Sequence, residues 1–203
     1  MLSGKGPSRE PARFDAGFFR RFYLKPGTRV REASGQIRLA RFVFAYMGYL
    51  GLPVRRVLDL GCGLGAWQRD VARSHPEARY QGVEASDYLC AKFGWKRGTV
   101  ADYRDRGRFD LVICQSVLQY LSDGEVRRGV ENMARLCRGA LYLETVTRLD
   151  WEANCDRKAT DGRIHLRDGA WYRRQLGRHF RSVGGGVFLP KDSPVVLYEL
   201  EGH

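Results

Sequence analysis

Residues 57–65 constrain the fold of this chain more than any other stretch. A short apolar run ends at Asp59, glycines then alternate at positions 61, 63 and 65, and a helical pattern begins at Ala66. A strand, a tight glycine-rich turn and a helix in this order form the first half of a βαβ unit that binds a nucleotide-like ligand. Because glycine has no Cβ, the turn can adopt positive φ angles and let a ligand lie directly on the backbone.

Three further segments narrow the class of ligand. Residues 80–84 predict a second strand that ends in the acid Glu84, about twenty residues after the glycines, where a carboxylate can accept both hydroxyls of a ribose. Residues 98–102 predict a third strand that also ends in an acid, and residues 109–115 predict a fourth. The turn also satisfies the dinucleotide pattern G-x-G-x-x-G/A, so a nicotinamide oxidoreductase stays open at this point.

Taken in order, these motifs resemble those of the class I S-adenosylmethionine-dependent methyltransferases. The matching residues are Asp59, the turn glycines, Glu84, the Ala101-Asp102 pair and the fourth strand. The resemblance runs from about residue 57 to the C-terminus. It implies an α/β Rossmann-like fold with a doubly wound, mostly parallel seven-stranded sheet, an antiparallel C-terminal hairpin and helices that precede the first strand.

The N-terminal quarter is expected to be helical after a disordered tail. Residues 1–12 are rich in Gly, Pro, Ser and charged residues, which is typical of a disordered terminus. Phe14, Phe18 and Phe22 repeat at helical spacing, and a second helix with Ser34 as its N-cap follows. We expect residues 13–52 to form a helical lid on a single domain that spans residues 13–203.

The C-terminal half completes the expected domain. Ser122 and Glu125 form a capping-box pattern that predicts the start of a helix, and a fifth strand is expected at residues 139–144. A helix over residues 168–179 and a terminal hairpin of residues 182–189 and 194–201 follow. The resemblance implies that residues 145–172 wall the pocket of the methyl acceptor.

The resemblance also assigns residues to S-adenosyl-L-methionine, the implied cofactor. The backbone of the glycine turn would contact the amino-acid tail and the ribose, Glu84 the ribose hydroxyls, and Asp102 the adenine amine. Arg29, in a connector, is the first choice for the tail carboxylate, ahead of Arg38 and Arg41. Asp59 would orient the tail amine, and burial there demands a polar partner. The expected cofactor-binding residues are Asp59, Gly61, Cys62, Gly63, Gly65, Glu84, Ala85, Ala101, Asp102, Tyr103, Gln115, Ser116 and Arg29.

Three side chains are candidates for a general base. In-line methyl transfer requires little covalent chemistry from the protein, but an acceptor hydroxyl or ammonium must lose a proton. His165 lies in the expected acceptor segment, Tyr120 follows the fourth strand, and Asp161 is close to His165 in sequence. His165 fits a surface histidine equally well, and Tyr120 fits a core aromatic.

Composition restricts the partners. The 203 residues carry a net charge of +12, and residues 1–50 hold ten Lys and Arg against three Asp and Glu. Because these basic residues form no run, a solvated face is favoured over a nucleic-acid surface. Five cysteines without a C-x-x-C pair, and histidines without ligand spacing, argue against a disulfide framework and a metal site. No apolar run is long enough for a membrane span or a signal peptide, so the sequence predicts a cytoplasmic protein.

The sequence thus predicts an enzyme that moves a methyl group from S-adenosylmethionine to a small-molecule acceptor by in-line displacement. Residues 115–121 lack the Asn/Asp-Pro-Pro-Tyr pattern of amino-methylating nucleic-acid enzymes, which favours a small acceptor. Two alternatives remain. One is an RNA methyltransferase that uses the basic N-terminal segment, and the other is an S-adenosylmethionine-binding module without turnover.

Overall fold

The computed structural model describes residues 14–24, 33–157 and 159–198. Within them, a five-residue π-helical turn (Arg20–Leu24) follows the first helix, and a 3₁₀ turn (Leu118–Tyr120) follows the fourth strand. The helices are α1 (Ala16–Phe19), α2 (Ala33–Tyr49), α3 (Ala66–Ser74), α4 (Asp87–Phe93), α5 (Asp123–Leu136), α6 (Arg148–Ala153) and α7 (Gly169–Leu176). The strands are β1 (Arg56–Leu60), β2 (Arg79–Glu84), β3 (Lys96–Arg97), β4 (Phe109–Gln115), β5 (Cys137–Glu144), β6 (Phe180–Ser182) and β7 (Val187–Pro190).

The strands form one sheet in the order β3-β2-β1-β4-β5-β7-β6. Strands β1 to β5 are parallel, whereas β7 pairs antiparallel with both β5 and β6. The expected doubly wound, seven-stranded fold is therefore confirmed. The chain leaves β1 towards one edge and returns at β4 towards the other, so the strand order reverses between these two neighbours. In open α/β sheets, ligands bind beyond the carboxyl ends of the strands at such a reversal.

Helices cover both faces of the sheet, which explains the nearly continuous apolar strands. One face, including Leu58 and Val112, packs against α5 and α7. The other face, including Val57 and Ile113, packs against α2 and α3. The four side chains are all fully buried. The core is therefore laid down on both sides of β1 and β4, and it holds the carboxyl ends of these strands in fixed positions.

Local signals set several helix ends where the sequence places them. The Ser122 hydroxyl and the Glu125 carboxylate form a reciprocal capping box at the start of α5. The Ser86 hydroxyl caps α4 by accepting from the Leu89 N–H, and Gly94 ends that helix in the left-handed conformation. The predicted capping box of Ser122 and Glu125 is confirmed.

Three sequence-based expectations about elements are wrong in detail, and one helix was not predicted. The third strand is Lys96–Arg97 rather than residues 98–102, because residues 99–102 close into a turn. Helix α2 begins at Ala33, so Ser34 lies inside the helix and does not cap it. Helix α7 ends at Leu176, and α6 was not expected at all.

The C-terminal hairpin exists, but its strands differ from those expected. The run 182–189 is interrupted by a turn at residues 183–186, whose three glycines all have positive φ angles. The hairpin therefore joins β6 to β7. Residues 191–198 form no strand among the described residues, and the disordered tail expected at residues 1–12 lies outside them. None of the helices in the described ranges is long and apolar enough to cross a membrane.

Candidate active site

The glycine turn lies at the strand-order reversal, between β1 and α3. The backbone N–H groups of Gly61 and Cys62 both donate to the Val83 carbonyl, at 2.8 and 3.1 Å, which joins the turn to β2. Gly61 has a φ of 81°, and a Cβ there would overlap the Val117 side chain. Gly63 has a φ of 51°, but a Cβ built on it meets nothing within 4 Å. The turn is thus packed at Gly61 and open at Gly63.

The Glu84 carboxylate closes onto this turn from the end of β2. Its Oε2 accepts from the Gly63 N–H at 3.0 Å, and its Oε1 accepts from the Ala85 and Ser86 N–H groups at 2.9 and 3.0 Å. The residue is only 7% exposed. An ionised carboxylate offers about four acceptor positions, so Oε2 retains one for a further donor. The acid and the open glycine therefore share one crevice.

Asp59 is buried behind the turn and has the partner that its burial demands. The Tyr80 hydroxyl donates to its Oδ2 at 2.6 Å. Burial raises the pKa of Asp59 from 3.8 to about 7; the Glu84 charge adds to the rise, and the Tyr80 hydrogen bond opposes it. A carboxyl group with such a pKa gains or loses its proton near neutral pH.

Trp95, which the sequence analysis did not single out, packs beside the turn. Its indole N–H donates to the Gly63 carbonyl at 2.9 Å, and its ring would lie 2.8 Å from a Cβ on either Gly65 or Gly82. The Gly63 residue is thus held at its N–H by Glu84 and at its carbonyl by Trp95. The glycines at positions 65 and 82 leave room for the Trp95 ring, and they are the feature of the sequence that could have indicated a bulky side chain beside the turn.

The residues expected around the adenine lie in the turn after β3. The Asp102 carboxylate accepts from the Thr99 N–H at 2.6 Å, which closes the turn, and Asp102 is exposed. Ala101 and Tyr103 are half-buried beside it. The Gly98 N–H donates to the Glu84 carbonyl at 3.1 Å, so this turn is tied to the end of β2.

Gln115 and Ser116, which are also expected to bind the cofactor, lie at the carboxyl end of β4. The Gln115 side chain accepts from the Trp67 indole at 2.8 Å and donates to Glu144 at 3.4 Å. Ser116 has a φ of 57°, which is unusual for a residue with a side chain, and its N–H donates to the Glu144 carbonyl at 2.8 Å. The bend at Ser116 sends Val117 towards Gly61, so β4 and the glycine turn meet there.

The structure does not assign an arginine to the cofactor tail. Arg29 lies outside the described residues. Arg38 and Arg41 are exposed on α2. The role of a tail-binding arginine therefore stays a prediction.

The N-terminal segment, residues 14–24, contacts the ends of two strands. The Ser86 hydroxyl, just after β2, donates to the Phe14 carbonyl at 2.6 Å. The Phe14 ring packs edge-on against Tyr120, just after β4, with ring centres 5.3 Å apart. Phe19 stacks on Tyr88 of α4 at 6.5 Å. This segment therefore lies across the carboxyl edge of the sheet that carries the crevice.

The three candidate bases have different surroundings. Tyr120 lies in the aromatic cluster with Phe14. Asp161 is 9% exposed, and its carboxylate accepts from the Arg163 N–H at 3.1 Å. His165 is exposed, and its backbone N–H donates to the Gln119 carbonyl at 2.8 Å.

A cavity of about 590 Å³ contains His165 but none of the residues expected to bind the cofactor. Its wall includes Arg167, which is 8% exposed and was not predicted. The Arg167 guanidinium donates to Asp123 at 2.8 Å and to the Leu121 carbonyl at 2.6 Å. These partners lie more than forty residues away in the chain, so no local pattern marks Arg167.

Comparisons with known proteins agree with this geometry. Residues 57–139 match a family model described as a methyltransferase domain. A malonyl-[acyl-carrier protein] O-methyltransferase of Legionella pneumophila is 32% identical over 128 residues, which are 57% of this chain and 45% of that protein. A trans-aconitate 2-methyltransferase of Deinococcus radiodurans is 32% identical over 79 residues, 35% of this chain and 30% of that protein. The chain thus spans less than half the length of these curated relatives.

A solved structure extends the match in fold beyond residue 139. The magnesium protoporphyrin IX methyltransferase of Synechocystis, crystallised with bound S-adenosylmethionine, superposes with a TM-score of 0.53 at 21% identity. The superposition covers 83% of this chain and 82% of that one. Residues 57–139 therefore resemble a methyltransferase domain, and the described chain shares its fold with this solved methyltransferase.

Proposed function

We propose that the chain is an enzyme that binds S-adenosylmethionine and transfers its methyl group to a small-molecule acceptor by in-line displacement. The observation that carries the proposal is the pairing of an open glycine with a buried acid. A Cβ on Gly63 would meet nothing within 4 Å, and the Glu84 Oε2 lies 3.0 Å from the Gly63 backbone nitrogen. A nucleoside with an amino-acid tail needs both features, a backbone surface without a Cβ and an acceptor for sugar hydroxyls.

The residues of the crevice fit the parts of this cofactor. Glu84 would accept from one ribose hydroxyl with the position that Oε2 keeps. Ionised Asp59 would attract the tail ammonium, and the Asp102 turn, tied to β2, would lie at the adenine. Cys62, Gly65, Ala85 and Gln115 belong to the segments that frame these contacts.

The cofactor, when bound, supplies an electrophilic methyl group. The chain's contribution is alignment, which can lower a barrier by about 7–11 kcal/mol when the reacting atoms are held at attack distance. We propose the N-terminal segment as a lid, because it contacts both Ser86 and Tyr120 across the crevice. His165, Tyr120 and Asp161 remain the proposed bases, and the segment 145–172 the proposed acceptor wall.

The named acceptors of the matched proteins support a small acceptor over RNA. They are malonyl-[acyl-carrier protein], trans-aconitate and magnesium protoporphyrin IX. We also propose a cytoplasmic location, since all five cysteines are free thiols, three of them buried. Free thiols are typical of a reducing compartment.

The proposal is tested by calorimetric titration with S-adenosylhomocysteine, the demethylated cofactor. Glu84→Gln keeps the volume of the side chain but replaces one acceptor oxygen with a donor. We expect affinity to fall about tenfold to a hundredfold, the size of lost hydrogen bonds to a charged group. The matched control, Glu131→Gln on the exposed face of α5, should leave affinity unchanged.

A second arm tests turnover. The wild-type protein should form S-adenosylhomocysteine when it is incubated with cofactor and a metabolite extract, and not when it is incubated with cellular RNA. Binding without any product formed in either mixture would favour a non-catalytic module. Equal affinity of the Glu84→Gln and wild-type proteins would remove Glu84 from the site.

A further inference from the structure

The cavity that contains His165 lies where α6, α7 and the start of α5 meet. It encloses about 590 Å³. We propose that it binds a carboxylate group of the methyl acceptor, away from the atom that is methylated. This inference rests on the proposed function, because it names the substrate class of the same enzyme. Besides His165, the side chains that carry the argument are those of Asp123, Arg148, Arg167, Asp168 and Arg174.

Positive charge exceeds negative charge on the cavity wall. Three arginines line it, against two aspartates. Both aspartates already have cationic partners, since Arg167 donates to Asp123 at 2.8 Å and Arg148 donates to Asp168 at 3.1 Å. Arg174, which is exposed on α7, forms no ion pair with any residue that the structure describes. One guanidinium is therefore left to attract an anion from solution.

The cavity has a rigid floor because Arg167 is fixed by several acceptors. Besides Asp123, its guanidinium donates to the Leu121 carbonyl at 2.6 Å and to the Tyr172 hydroxyl at 3.1 Å. The Trp171 ring lies over it, with 4.7 Å between the guanidinium carbon and the ring centre. Because these contacts occupy Arg167, it positions the wall, while Arg174 is left to present donors to a ligand.

Two residues of the cavity wall, His165 and Arg167, donate hydrogen bonds to the segment of residues 118–121 that follows β4. The His165 N–H donates to the Gln119 carbonyl at 2.8 Å from the cavity side. Arg167 donates to the Leu118 and Leu121 carbonyls from the same side. The segment follows directly on Val117, which packs against Gly61 of the glycine turn. The cavity wall is thus tied to the same stretch of backbone that packs against the glycine turn.

The donor set favours a carboxylate. Guanidinium groups offer planar pairs of N–H donors that match the two oxygens of a carboxylate. A cavity closed on one side by Trp171 suits one compact anionic group rather than an extended polyanion, which needs a continuous basic surface.

The test uses citrate as the probe and the indole N–H resonance of Trp171 as the reporter. Citrate is titrated into the ¹⁵N-labelled full chain at constant ionic strength set with sodium chloride, and a Trp171→Phe variant assigns the resonance. We expect a saturable shift. Arg174→Ala should weaken citrate binding about threefold to fivefold, the range of one exposed ion pair. Arg173→Ala, the matched control at the adjacent exposed position outside the cavity, should stay within about twofold of the wild type.

The proposal is overturned if the Trp171 resonance does not move, or if Arg173→Ala and Arg174→Ala weaken citrate equally, since a diffuse surface charge would then explain the effect. Titration with S-adenosylhomocysteine separates the two hypotheses. If S-adenosylhomocysteine binds but citrate does not, only the carboxylate site fails. If citrate binds and S-adenosylhomocysteine does not, the cofactor assignment fails.

Discussion

The pH dependence of stability should carry the signature of Asp59. Its carboxyl group is 2% exposed, and burial raises its pKa from 3.8 to about 7. A folded-state pKa above the unfolded value means that the folded protein holds the proton more tightly. The resulting stabilisation is complete below about pH 4 and is lost as the pH rises through about 7. A difference of about three pKa units corresponds to about 4 kcal/mol of unfolding free energy.

The measurement is urea unfolding of the wild type and of Asp59→Asn at intervals between pH 4 and pH 8.5. Asparagine has nearly the same shape and cannot ionise, so the wild type should lose about 4 kcal/mol relative to the variant across this range. Other titrating groups cancel in the difference between the two proteins. Tyr80→Phe removes the hydrogen bond that lowers the pKa, so it should shift the loss to higher pH. A wild-type-minus-variant difference that stays constant over this range would refute the reasoning.

Four other substitutions separate stability from binding. The Cβ of Gly63→Ala meets no atom within 4 Å, so this variant should lose only about 1 kcal/mol of unfolding free energy, for its left-handed φ, yet bind S-adenosylhomocysteine more weakly in calorimetry. The Cβ of Gly61→Ala overlaps Val117, so that variant should lose about 2–4 kcal/mol of unfolding free energy in urea. The reverse order would contradict the open crevice at Gly63. Arg167→Met should cost about 3 kcal/mol, because it strips a buried cation from its acceptors, and a loss below about 1 kcal/mol would contradict that role. His165→Ala should lower turnover while the affinity for S-adenosylhomocysteine stays unchanged. Turnover at the wild-type rate would remove His165 from the candidate bases.

Sequence reasoning succeeds here where the signal is local. The Ser122–Glu125 capping box and the glycine turn each depend on only four or five consecutive residues, and both occur as predicted. Helix α6 has a comparable box from Thr147 to Asp150, so the sequence did contain a signal for it. The third strand was displaced because the Asp102 side chain closes a turn with Thr99 and competes with strand formation.

The remaining site residues depend on distant partners. Tyr80 contacts Asp59 because strands β1 and β2 are neighbours. The predicted fold includes this pairing of strands, but it does not specify which side chains touch. Trp95 lies 32 residues from the Gly63 carbonyl that it binds. Arg167 lies 44 residues from Asp123. Such contacts form only after the sheet is assembled, so residue patterns within one segment cannot predict them.

The most direct test of the central claim is a crystal structure of the full chain with S-adenosylhomocysteine, measured at the Glu84 carboxylate. The account predicts that a ribose hydroxyl oxygen lies about 2.6–3.2 Å from the Glu84 carboxylate, with the amino-acid tail against Gly63. A ribose bound elsewhere, for example in the cavity beside Arg174, with nothing against Gly63, would contradict it.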